Sequence, residues 1–409
     1  MLSSDPDTRL IVTVAVVCGS EILGLAGYSI VPALLPQFID AWSLSNTQGG
    51  WLAGMVFAGY MVAVVPLVSL TDRVSARMIY LGASCLNVVS CFGMVFSERI
   101  GFALGFRGLA GVALAGMYMP GLRALTDAIE CTQRARVSAF YTSSFTVGAV
   151  FSFLLGNTGI SWGWRFPFFI AGLLAIVATL LAWMVMPRPA TVLSYVNRPI
   201  FDFGSVLRNR DSVILVFAYA AAIWGSAGLR QWIVVFLAAC AGAANLGLAA
   251  DWTMPAMGAF INALGIPAAL LGNELSLHFG LRKTALLVFL LSALATGLFG
   301  ITAVLPYTVV IWIAFLAGFI VQGNFANLTS GVLAVATQGN AGATMALYSS
   351  IGFGGGFLGT VLFGTILDQF GGTSRPMAWM VSFGSCGLVC LLGAGATAFL
   401  SRELDRKNP

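Results

Sequence analysis

Between Pro187 and Asp211 the chain reads Pro187-Arg188-Pro189-Ala-Thr-Val-Leu-Ser-Tyr-Val-Asn-Arg198-Pro199-Ile-Phe-Asp-Phe-Gly-Ser-Val-Leu-Arg208-Asn-Arg210-Asp211, its only long polar interruption. Apolar runs fill the sequence on both sides. Before it they lie near residues 10–34, 47–70, 78–96, 100–122, 137–157 and 164–186; after it, near 212–239, 252–271, 284–304, 308–331, 343–367 and 377–400. One lipid-spanning helix takes about 20 residues, so each run can cross a bilayer once. The pattern predicts an all-α integral membrane protein: twelve transmembrane helices in two six-helix bundles. Residues 1–186 are expected to form the first bundle, 187–211 a cytoplasmic linker and 212–409 the second bundle.

Composition agrees. Of 409 residues, 59% are hydrophobic and 9% charged, with a mean hydropathy of +0.93. Soluble domains carry roughly 25% charged residues, so an ordinary soluble enzyme is excluded. The net charge of +5 sits in short loops instead of a stripe with interleaved aromatics, which argues against nucleic-acid binding. With both termini cytoplasmic, that side collects 15 Lys and Arg against three (Arg99, Arg165 and Arg375) on the other. This asymmetry orients the chain by the positive-inside rule; the expected location is a plasma membrane, the bacterial inner membrane. Seven cysteines are scattered, mostly in apolar runs, without metal-ligand spacing; no metal and no cofactor are expected. No basic start or small-residue cleavage site precedes the first apolar run, so the first span is expected to be retained.

The halves echo each other. Asp72-Arg73-x-x-x-Arg77 aligns with Leu277-His278-x-x-x-Arg282 at an offset of 205, and Ala139-Phe-Tyr141-Thr-Ser143 with Ala346-Leu-Tyr348-Ser-Ser350 at 207. Two nearly equal offsets across one midpoint indicate pseudo-symmetric repeats, an arrangement known among secondary transporters, whose substrate sites lie between the repeats near mid-membrane.

Leu70, Asp72, Arg73 and Arg77 stand in register with the Gly-x-Leu-x-Asp-Arg-x-Gly-Arg-Arg loop of the major facilitator superfamily, which the chain resembles over essentially its whole length. Val68, Ser75 and Ala76 depart from that pattern. The second copy keeps Leu275, Gly280 and Arg282 but has Leu277 in place of the acid and His278 in the Arg position. Arg107-x-x-x-Gly111 and Trp162-Gly-Trp164-Arg165-Phe166 are similar to further family motifs. The resemblance implies the two-bundle fold, transport instead of enzymatic activity, and a loop charge network that gates the conformational change. Asp72, Arg73, Arg77 and Arg282 are the gating candidates, with an asymmetric latch that is weaker in the second half; plain positive-inside anchoring is the competing reading.

Removing the loop charges leaves Glu21, Arg107 and Arg230 inside spans one, four and seven. A charge at a helix centre costs about 2.5–3.5 kcal/mol on insertion scales, so these residues are expected to share a hydrated crevice. In the family, spans one, four, seven and ten line the central path. Loss of water favours a neutral carboxyl and a nearby guanidinium an ionised one, which makes Glu21 the candidate proton site and Arg107 its tuning partner. Arg230 has no evident acidic partner, and its planar fork fits an anion. It is the leading substrate-binding candidate, joined by Arg107, Tyr28, Trp224, Gln231, Asn262, Asn324, Asn327 and Tyr348. Interhelical hydrogen bonding is the alternative role for the amides and tyrosines.

These residues lead to an expected monomeric, proton-coupled, alternating-access carrier that brings in a small organic anion such as a carboxylate together with a proton. The alternative is a proton-coupled antiporter exporting drugs or metabolites. Ser152, roughly where family antiporters carry the proline of a Gly-Pro pair in span five, favours import.

Overall fold

The computed structural model of the chain describes residues 6–71, 73–127, 131–187, 203–242, 253–336 and 340–405, which are helical without strands. Asp72, most of the central linker and the last four residues lie outside them. Twelve helices are long and apolar enough to cross a membrane: α1 Leu10–Gly27, α2 Asn46–Leu70, α3 Ala76–Val95, α4 Ile100–Thr126, α5 Arg136–Trp162, α6 Arg165–Val185, α7 Arg210–Gly242, α8 Met254–Phe279, α9 Leu281–Val304, α10 Tyr307–Val335, α11 Ala341–Gln369 and α12 Pro376–Ala398. The expected count therefore holds, and the ends of the described chain lie on one face. Several spans differ at their ends from the sequence reading: α5 runs to Trp162 instead of 157 and α8 to Phe279 instead of 271. The helix of α7 starts at Arg210 instead of 212, because the Asn209 side chain accepts from the Asp211 and Ser212 amides at 3.1 and 3.3 Å. The first span is not one helix: it tightens at Leu25–Gly27 and continues as Ile30–Ala33 and Leu35–Trp42.

The internal echo is visible in side-chain contacts. Tyr141 of α5 donates to the Met117 carbonyl of α4 at 3.1 Å. Its counterpart Tyr348 of α11 meets Thr329 of α10, also at 3.1 Å. Close helix crossings repeat as well: a side chain at Gly59 would collide with the Gly108 carbonyl, and one at Gly272 with that of Gly323. Without a hydrophobic force between helices in lipid, such small-residue crossings let backbones approach and pack.

The bundles meet chiefly through α2 with α11 and α5 with α8. In the second pair α5 packs along Met254–Ala263 and scarcely touches Gly265–Phe279, so the two bundles part toward the face that carries the ends of the chain. The opposite face is closed by hydrogen bonds. Thr253 donates to Asn157 at 2.5 Å, and Asp368 at the end of α11 binds the first turn of α2. Its carboxylate accepts from the Asn46 amide and side chain at 3.0 and 2.8 Å and from the Thr47 amide and hydroxyl at 2.8 and 2.6 Å.

Helix starts leave amides without intrahelical partners. At α2 all are satisfied, because Ser45 and Gln48 form a reciprocal capping box around the two that Asp368 takes. One bundle thus caps a helix of the other. Loss of a cap costs roughly 1 kcal/mol, so Asp368→Ala is expected to speed amide exchange across the first turn of α2 several-fold. Unchanged exchange there would show that the contact holds nothing.

Candidate functional site

The interruption in the first span decides what surrounds it. Backbone groups released by a helix break must find partners where no water reaches them, and side chains from three neighbouring helices supply them. Asn87 of α3 donates to the Gly24 carbonyl at 2.7 Å, and Ser152 of α5 to that of Ala26 at 2.6 Å while accepting the Ser29 amide at 2.7 Å. Arg107 of α4 spans the next two carbonyls, Gly27 at 3.2 Å and Tyr28 at 3.0 Å. A narrow cleft follows the break, lined by Gly24, Gly27, Tyr28, Asn87, Ser90 and Arg107 among others.

This arrangement corrects the expected pairing of Arg107 with Glu21. Arg107 is 1% exposed, and its terminal nitrogens are taken up by backbone carbonyls. Glu21, 2% exposed, lies deeper in the same bundle, where it accepts a hydrogen bond from Ser144 and stands near Tyr80, Tyr118 and Tyr141. Its second carboxylate oxygen is buried without a partner. The three intramembrane charges therefore do not share one crevice: the acid is sealed inside the first bundle, away from both arginines.

Arg230 is in a different position. It is half-buried on α7, and its Nε donates to Asn262 of α8, whose own amide is anchored on the Gly258 carbonyl at 2.8 Å. Among the described residues nothing bonds its terminal nitrogens, so the end of the guanidinium that fits a carboxylate fork stays open. Tyr28 lies within electrostatic reach of both Arg230 and Arg107, which brings span one of the first bundle against span seven of the second. Arg230, Asn262 and Tyr28 thus come together as the sequence suggested.

Other candidates do not join them. Asn324 and Asn327 are fully buried within the second bundle, bonded to each other at 3.1 Å and to the Ala285 carbonyl of α9 at 3.3 Å. Tyr348 stacks on Tyr219 with ring centroids 3.9 Å apart. Trp224 packs over Gly359 of α11, and Gln231 is buried with its carbonyl oxygen unpaired. Of the gating set, Asp72 lies outside the described residues, Arg73 is exposed, and Arg77 donates to the Trp183 carbonyl near the end of α6. The Arg282 amide donates to Asp405 at 3.1 Å, so an acid from the far end of the chain sits at the second loop, where Leu277 replaces the motif's own.

Sequence reasoning passed over Ser144, Asn87, Asp368 and Arg123, which binds Thr71 and pairs with Asp127 at 3.6 Å. Polar residues inside apolar runs were the available signal for the first two. Nothing in the sequence shows the long-range partners of the others.

A two-bundle array of twelve helices with an open cation between the bundles is the architecture of a membrane carrier. The family model described as Major Facilitator Superfamily matches residues 17–360, and the chain belongs to that superfamily. It is 24% identical over 200 residues to the gentisate transporter of Corynebacterium glutamicum, covering 42% of this chain and 44% of that one. It is 22% identical over 242 residues to human protein spinster homolog 1 (56% and 46%) and 22% over 174 residues to the niacin transporter NiaP of Acinetobacter baylyi (42% and 39%). The chain thus spans less than half the length of these curated relatives in each match. In fold it is similar to a crystal structure of a bacterial homologue of the human lysosomal transporter Spinster, inward-facing and unoccupied. The TM-score is 0.78 at 18% identity, with 99% of each chain covered. The expectation that the chain is not an enzyme agrees with this membership.

Arg107 reaches the two backbone carbonyls through separate nitrogens of one planar fork, a geometry that the compact ammonium of lysine does not reproduce. Hydrogen bonds to charged groups contribute about 1.5–3 kcal/mol each. Arg107→Gln and Arg107→Lys are both expected to lower the unfolding temperature in detergent markedly; full stability of the lysine variant would show that the two-carbonyl clip is dispensable.

Proposed function

We infer that the chain is a proton-coupled, alternating-access carrier that moves a small organic anion inward together with a proton across the bacterial inner membrane, with both termini cytoplasmic. The observation that carries this reading is the open end of the Arg230 guanidinium, held by Asn262 between the two bundles. A cation kept in a membrane interior without an acid calls for an anionic partner. The names of two relatives, the gentisate and niacin transporters, denote organic acids and support the same substrate class. The excess of Lys and Arg on the termini side supports the orientation.

Glu21 is the proposed proton site. An ionised carboxylate sealed in an apolar bundle without a cation is costly, whereas the neutral acid is tolerated. Its burial against Ser144 therefore suits a proton-loaded state, and release of the proton requires a conformation in which water reaches it. Glu21 and Tyr28 ride on the same broken span two turns apart, so a proton at one and an anion beside the other bias the packing of the same element. This is the reciprocal linkage that cotransport requires. In this scheme Arg107 keeps the break in shape, and the termini-side contacts of Arg77, Arg123 and Arg282 gate the opening.

In vesicles of reconstituted protein, an imposed inward proton gradient is expected to drive carboxylate accumulation. Arg230→Ala should abolish it, and Glu21→Gln should abolish accumulation while sparing anion exchange. Anion affinity unchanged in Arg230→Ala would sink the reading, and efflux driven by the same gradient would place the chain with the antiporters instead.

A further inference from the structure

The surroundings of Arg230 also bear on what kind of anion fits, an inference that rests on the reading above. Ala227 precedes Arg230 by three residues and so lies on the same face of α7, about 4.5 Å along the helix axis. Ala227 forms a small buried cluster with Val56 and Phe57 of α2, against which rings from both bundles pack: Tyr28 from span one, and Phe353 and Phe357 from α11. Phe57 meets Phe353 edge-to-face, with centroids 5.8 Å apart and planes at 70°. Phe353 in turn lies flat on Tyr60, with centroids 3.8 Å apart. Ala227 and Phe57 are buried in this cluster, whereas Tyr28, Phe353, Phe357 and Arg230 are half-buried although both bundles flank them, so part of their surface stays uncovered.

We propose that the transported anion is an aromatic carboxylate, its ring held against the half-buried rings of Tyr28, Phe353 and Phe357 and its carboxylate on Arg230. Aromatic walls favour an aromatic guest through edge-to-face and offset contacts that a saturated ring cannot reproduce. The slot disfavours a sugar acid, because apart from the Tyr28 hydroxyl its walls offer no partner to ring hydroxyls, which are costly to bury unpaired.

The test compares binding of benzoate, cyclohexanecarboxylate and glucuronate to the purified full-length protein by titration calorimetry. All three carry one charge; benzoate and cyclohexanecarboxylate also match in size, so that pair isolates ring character, while glucuronate tests the effect of ring hydroxyls. Wild type is expected to bind benzoate about ten-fold tighter than cyclohexanecarboxylate and glucuronate weakest. Phe353→Leu should bring the first two to equal affinity while Arg230→Ala weakens both. Equal affinity for benzoate and cyclohexanecarboxylate in the wild-type protein overturns the aromatic slot but leaves the anion reading in place. Failure of all three carboxylates to bind overturns that underlying reading as well.

Discussion

A helix broken inside a membrane has to be repaired by its neighbours, and the rest of this site follows from that constraint. Four carbonyls of the interrupted first span, those of Gly24, Ala26, Gly27 and Tyr28, are each met by a polar side chain from α3, α4 or α5. The repair fixes where Arg107 must lie, and Arg107 is then no longer available to an acid. It also turns Tyr28 toward the second bundle, close to Arg230. One backbone irregularity thus sets the positions of two of the three intramembrane charges relative to the inter-bundle gap.

The third charge shows how the same physics separates roles. Glu21 and Arg230 both lie in the membrane interior, yet one is enclosed with a serine and tyrosines while the other keeps an open edge. An acid that can be neutral tolerates enclosure, whereas an arginine is effectively always charged and has to be given either carbonyls, as Arg107 is, or a polar neighbour and room for a counter-ion, as Arg230 is. In the proposed scheme proton and anion therefore take separate places connected through the first span, instead of a single charged cluster.

Acid contacts at helix ends have a related logic, one between the bundles and one within the second. Asp368 uses both oxygens on the first turn of α2, and Asp405 reaches the start of α9. In each case an acid meets unpaired amides at a helix N-terminus, where the partial positive charge favours it. Such contacts are made by exposed groups at helix ends, so they can part without leaving a charge stranded in hydrocarbon. That property suits joints between bodies that rock against each other.

Much of the architecture was legible in the chain alone. Hydrocarbon thickness and the demand for internal hydrogen bonding make apolar length a direct reading of helix count, and the echo of Tyr141 in Tyr348 exposed the repeat because both tyrosines serve the same helix-to-helix contact. The sequence also singled out Arg230, Asn262 and Tyr28, since polar groups in apolar runs are rare enough to be conspicuous. It placed Glu21 beside Arg107 by charge alone and grouped Asn324 and Asn327 with the path by helical face. Only the tertiary structure decided those questions: which neighbour satisfies a buried polar group depends on the direction of a side chain and on breaks in the backbone, and neither is encoded in hydropathy.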